Sequence, residues 1–242
     1  MISNDTLWAA LEATWPPASR ERFGPFIWRD GAGGGQRVSA ASVVAPVSEI
    51  DLDRMEARFE AAGRDPLFQV RDNSAAFDRL LAERGYDVVD PTVLMLSSTD
   101  RLPMEVPDKV YTSWPPVAVQ REIWTEGGID AARVAVMERA SCAKTSLLAR
   151  LGDAPAGAGF VAVSNRIAVV HALEVNVSAR RHGVARAMLA LAAYWAREQD
   201  ATHLALQVTQ ANTAAIALYS SLGMKAVGQY PYRKRSSSPR ET

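Results

Sequence analysis

Arg180-Arg181-His182-Gly183-Val184-Ala185 stands where a strand-like run meets a helix-like run, and the fold turns on it. Upstream, Ile167-Ala-Val-Val-His-Ala-Leu-Glu-Val-Asn-Val177 is rich in β-branched residues and bounded by Ser178, so it reads as a buried strand. Downstream, Val184, Met188, Leu191 and Trp195 recur at helical spacing, which predicts an amphipathic helix from residue 183 to about 198. A strand that enters a helix through a glycine-bearing turn leaves several backbone N–H groups free at the positive end of the helix dipole. Such a turn is an anion site suited to pyrophosphate. Gly183 lets the backbone approach a ligand closely, and Ala185 is too small to block it.

Further along, His203-Leu-Ala-Leu-Gln-Val208 reads as the next strand. Asn212-Thr-Ala-Ala215, Leu218-Tyr219 and Gly223-Met224 follow it. The two segments, in this order, resemble the signatures of the GNAT superfamily of N-acyltransferases. There Arg/Gln-x-x-Gly-x-Gly/Ala cradles the coenzyme A pyrophosphate, and Asn-x-x-Ala-x-x-x-Tyr comes after it. The likeness extends over roughly residues 105–235. It implies an α/β fold made of a mixed, mostly antiparallel sheet flanked by helices.

Composition sets outer bounds. The 242 residues suffice for one large or two small domains, and 48% hydrophobic with 22% charged residues is ordinary for a soluble chain. Lys+Arg and Asp+Glu both number 27, so no net field draws the protein to nucleic acid or a membrane. The single cysteine, Cys142, excludes an internal disulfide and fits a reducing compartment. With no secretory leader pattern at the N-terminus and no uncharged run of spanning length, the expected location is cytoplasmic.

The chain also echoes itself. Gln69-Val70, Asn73-Ser-Ala75-Ala76, Leu80 and Gly85-Tyr86 parallel Gln207-Val208, Asn212-Thr-Ala214-Ala215, Leu218 and Gly223-Met224. Two GNAT-like halves are therefore expected: residues 1–100, a linker at 101–107, a catalytic domain over 108–235 and a disordered tail at 236–242. The first half reads as degenerate. Its helix from Ile50 to Ala62 starts at Ser48 with acidic residues, which repel phosphate, and Leu81 stands where the second half has Tyr219. Mycothiol synthase is a tandem relative with such an arrangement. Gly31-Ala-Gly-Gly-Gly35 lacks the Gly-Lys-Ser/Thr of a phosphate loop and, flanked by Pro25-Phe-Ile-Trp28 and Arg37-Val-Ser-Ala-Ala-Ser-Val-Val44, reads as a flexible hairpin tip, with a substrate-facing flap as the other reading.

The resemblance assigns roles within the second half. Arg180, Arg181, His182, Gly183, Val184, Ala185 and Arg186 would hold the pyrophosphate of acetyl-CoA, the co-substrate. Val175 would offer its amide to the oxyanion, and the pantetheine arm would pair along Val175 and Val177. Asn212 and Ala215 would line the arm, with Asn212 also suited to cap its helix. Tyr219 is the expected general acid, because ordinary phenol and thiol acidities are comparable. Glu174 and His171 are the candidate bases. A charge inside an apolar strand is costly without a task or a partner, which suits Glu174 to the base role, with a salt bridge to a neighbouring Arg or Lys as the plainer reading. Strict alternation puts His171 and Glu174 on opposite faces, which also argues against a shared metal, and none is expected. Glu138-Arg139 and Tyr230 with Tyr232 are expected at the lips of the acceptor cleft.

The resulting expectation is an acetyl-CoA-dependent N-acetyltransferase acting on a primary amine, in a small molecule or a peptide, by direct attack in a ternary complex. The alternative is a non-catalytic acyl-CoA-binding sensor or scaffold. A monomer is expected, with a dimer as the other possibility.

Overall fold

The computed structural model describes residues 2–71, 74–103 and 108–235. Asn73 of the internal echo, residues 104–107 of the expected linker and the tail at 236–242 lie outside the described residues. The chain forms two compact units: Met1–Pro16 with Leu94–Val208 and Asn212–Val227, and Pro17–Val93 with Thr209–Ala211 and Gly228–Thr242.

The second-half unit begins with α1 (Asn4–Thr14) and the last residues of β5 (Tyr86–Ser98). It continues through β6 (Val110–Ser113), α5 (Ala118–Glu126), α6 (Ala131–Arg139), β7 (Ala143–Leu151), β8 (Ala154–Ser164) and β9 (Ile167–Val175). A 3-10 turn at Val177–Ala179, α7 (Val184–Glu198), β10 (His203–Thr209) and α8 (Thr213–Ser221) complete it, with the start of β11 (Lys225–Arg235). Its strands lie in the order β5-β10-β9-β8-β7-β6. From β6 through β9 neighbouring strands pair antiparallel, and β9 pairs with β10 in parallel. Helix α7 packs on one face, where Gly157 and Gly159 leave room for Met188, while α1 and α5 cover the other, against Phe160.

The other unit holds β1 (Ser19–Phe23), β2 (Phe26–Asp30), α2 (Gln36–Ser39), β3 (Ala41–Val43), α3 (Glu49–Ala61), β4 (Leu67–Gln69), α4 (Ala75–Glu83), the first part of β5 and the second part of β11. Its order is β1-β2-β3-β4-β11. Phe68 is its hub, with the rings of Phe59, Phe77 and Tyr86 each centred 5.5–5.6 Å away. The glycine run Gly31–Gly35 leads into the short helix α2, and within the stretch flanking the expected hairpin tip only Ala41–Val43 forms a strand, β3.

The unit boundaries depart from the expected division at 101–107. The run β3-α3-β4-α4-β5 repeats the run β9-α7-β10-α8-β11, with a parallel first pair in both. Each unit takes part of its last strand from the other half of the chain. Tyr232 of β11 pairs with Gln69 of β4, and Thr99, just after β5, donates to the Thr202 carbonyl ahead of β10. Hydrogen bonding across a sheet is indifferent to sequence distance, which is why composition and linker patterns placed the boundary differently.

Candidate active site

Two irregularities in β9 shape the site. Parallel pairing with β10 ends at Val170 opposite Leu206, so the remaining residues of β9 have no β10 partner. On its other edge, β9 carries a bulge: His171 opposes Phe160 and Glu174 opposes Ala158, which leaves Ala172 and Leu173 facing Gly159 alone. Ala172 takes the extra residue in a left-handed conformation, φ +49°. Its carbonyl accepts a 2.8 Å hydrogen bond from the Trp124 indole, which is completely buried.

The bulge corrects the expected alternation. Phe160 and Ala158 share a face of β8, so their partners His171 and Glu174 share a face too, the one covered by α1 and α5. Beyond the bulge the ladder sets the direction of the Val175 amide. Asn176 N–H donates to the Ala156 carbonyl at 2.9 Å, so the next residue back, Val175, points its N–H and C=O away from β8. They face the side from which β10 has parted.

A cavity of about 530 Å³ opens there. Its walls are Leu173–Val175 of β9, the turn and first residues of α7, and Asn212, Ala214, Ala215, Leu218 and Tyr219 of α8. Gly183, at φ +81°, is the N-cap of α7 and supplies no side-chain cap. The first N–H in the helix to find an intrahelical carbonyl is that of Ala187, bonded to Gly183, so the amides of residues 184–186 remain free. Arg181, at φ +66°, turns the chain into this cradle.

The cationic side chains are partly committed. Arg180 donates to the Val175 carbonyl at 3.2 Å and to the Glu174 carboxylate at 3.3 Å. Arg186 donates to Ser221 at 2.7 Å, tying α7 to α8. The salt bridge expected of Glu174 is present, and it does not take the residue out of the site, because Glu174 also lines the cavity. Asn212 caps α8 through Oδ1, which accepts from Ala215 N–H at 3.1 Å, and lines the cavity as well. Tyr219 lines it from the next turns of the helix. Burial alone raises its phenol to about 12, so the near match with a thiol expected from ordinary values does not survive folding.

Three expected site residues stand elsewhere. His171 is buried beneath α1, with Nε2 3.0 Å from the Thr14 hydroxyl and its ring stacked 4.9 Å from Trp15. It is a core histidine outside the cavity. Val177 lies past the end of β9 in the 3-10 turn, 76% exposed, so strand-like pairing can extend only to Val175. His182 turns outward, with Nδ1 2.9 Å from the Arg180 carbonyl. Of the residues expected at the acceptor lips, Glu138 pairs with Arg121, and Tyr230 and Tyr232 are buried against each other in the other unit. Leu173, Ala179, Ala214 and Leu218 line the cavity without having been assigned to it; Ala214 and Leu218 stood inside the quoted signature, and spacing from Val175 was the available signal for Leu173. Among the described residues no group of three or more potential metal-binding side chains comes together, and no helix is long and apolar enough to cross a membrane.

A splayed parallel pair that opens onto a glycine-capped helix start defines a cleft of the N-acyltransferase type. Residues 110–224 match the acetyltransferase (GNAT) family. The uncharacterized N-acetyltransferase YobR of Bacillus subtilis (strain 168) is 21% identical over 232 residues, covering 91% of this chain and 94% of its own. The solved GCN5-related N-acetyltransferase from Kribbella flavida has a TM-score of 0.74 at 18% identity over 98% of each chain. A tandem GNAT protein from the clavulanic acid biosynthesis pathway has a TM-score of 0.63 at 15% identity, over 93% of this chain and 86% of that one. At these identities the solved structures speak for the fold.

Proposed function

We propose that this protein transfers the acetyl group of acetyl-CoA to a primary amine by direct attack in a ternary complex. The observation that carries the reading is the outward-facing Val175 amide at the mouth of a cavity shared with the free N–H groups of residues 184–186 and with Tyr219. The helix start suits the pyrophosphate, and β9 offers its unpaired edge to the pantetheine arm. The amine forms the new C–N bond as the C–S bond breaks. Oxyanion charge collects at the Val175 N–H, where a preorganised donor is worth about 3–4 kcal/mol. The proton shed by the amine leaves toward Glu174, directly or through water, and the departing thiolate receives a hydrogen bond from Tyr219. The single cysteine supports direct attack: Cys142 lies outside the cavity, and burial pushes its thiol pKa up.

The N-terminal half is read as a GNAT-like copy without a coenzyme A site. The start of α3 is closed by its own capping box, in which Ser48 accepts from Asp51 N–H and Asp51 accepts from Ser48 N–H. Leu81 is fully buried at the position of Tyr219.

Titration calorimetry with acetyl-CoA tests the main reading, using wild type and Gly183→Glu. Wild type is expected to bind in the micromolar range, and the variant, which sets a carboxylate at the cradle, at least about tenfold more weakly. A thiol-release screen of amines then seeks the acceptor. Absence of binding by folded wild type would overturn the assignment.

A further inference from the structure

Helix α5 ends in two glycines whose reasons differ. Gly128, at φ +77°, occupies a backbone region that other residues enter with strain. Gly127 does not: its φ of −81° and ψ of 6° are open to any residue. What excludes a side chain at 127 is Glu174. A Cβ there would lie 2.5 Å from Glu174 Cγ, 2.6 Å from Cδ and 2.9 Å from Oε2. The carboxylate that lines the cavity therefore rests directly on the exposed end of α5.

The same helix grips β9 one turn earlier. Trp124 is three residues before Gly127, on the same side of the helix, and its indole donates to the bulge carbonyl of Ala172. One contact fixes the bulge, which turns Glu174 onto the α5 face. The other leaves the space its side chain fills.

We propose that Gly127 is a positioning residue: its missing side chain, together with the Trp124 anchor, sets where the Glu174 carboxylate lies and so its reach to the acceptor amine. This rests on the N-acetyltransferase reading and on Glu174 as the proton acceptor. Neither the family signatures nor the sequence pattern points to α5.

Gly127→Ala is the direct test, because the backbone accepts alanine and the three atoms nearest the added carbon all belong to the Glu174 side chain. The variant is expected to melt within a few degrees of wild type and to keep its acetyl-CoA dissociation constant. Its kcat should fall at least about tenfold, as expected when a reacting group is displaced by around 1 Å. In a Glu174→Gln background the same substitution should change kcat by less than about twofold, since the two act through one group. Equal losses in both backgrounds, or no loss in the single variant, overturn the proposal. A crystal structure of Gly127→Ala with the Glu174 side chain unmoved overturns it whatever the turnover. Wild type that binds acetyl-CoA yet acetylates no amine sinks the enzymatic reading itself, a result separable from any effect at Gly127.

Discussion

With the residue 8% exposed and its pKa raised by burial alone, Tyr219 holds its proton at every physiological pH. A phenol near 12 is a weaker acid than an ordinary thiol, so it does not hand its proton fully to the departing thiolate. It acts instead as a hydrogen-bond donor to the developing charge. Tyr219→Phe is therefore expected to lower kcat by about 10- to 100-fold, the worth of one bond to a charged group, and to leave acetyl-CoA affinity unchanged in calorimetry. An acyl-CoA sensor would lose nothing measurable by that change. The same shift has a consequence for stability. The folded pKa lies above the ordinary value of 10.0, so the contribution is intact below pH 10 and is lost as pH rises toward 12. Its full size is on the order of 2–3 kcal/mol, and a melting series from pH 9 upward should fall less steeply in the Phe variant.

At the scale of the element, β9 departs from regularity at both edges, and each departure has a job. Parting from β10 opens the cavity and frees the Val175 amide; the bulge against β8 brings Glu174 to the α5 face. Ala172 bears the cost, since a non-glycine residue in the left-handed region is strained by about 1–2 kcal/mol. Ala172→Gly should therefore be nearly neutral, within about 0.5 kcal/mol, where a glycine in an ordinary strand would destabilise. Ala172→Val should cost more than about 2 kcal/mol, because a β-branched side chain fits that conformation worst. Urea denaturation of both variants measures the contrast. Equal effects would mean that the bulge is not held as described.

For the whole molecule the decisive feature is that the compact units are not consecutive stretches of chain. Residues 108–235 alone, the expected catalytic domain, would lack Thr14 and Trp15, which enclose His171, and the β5 residues that border β10. They would retain residues 228–235, which belong to the other unit. An exposed β10 edge and an uncovered buried histidine predict a fragment without cooperative thermal unfolding, as monitored by circular dichroism. A cooperative melt with acetyl-CoA binding would show that the covering elements are dispensable.

By itself the sequence determined what depends on neighbours along the chain. The strand–glycine–helix junction at Arg180–Ala185, the Asn212 cap, the start of α3 at Ser48 and the recurring unit were all legible, because local backbone geometry and periodicity fix them. The tertiary structure alone decided what depends on strands meeting across the sheet. A single extra residue opposite Gly159 inverted the faces beyond Ala172, placing Glu174 where strict alternation denied it. Burial by α1 took His171 out of the site, and burial of Tyr219 moved its acidity away from that of a thiol. Registers, bulges and desolvation arise from contacts between distant segments, and no window of sequence contains both partners.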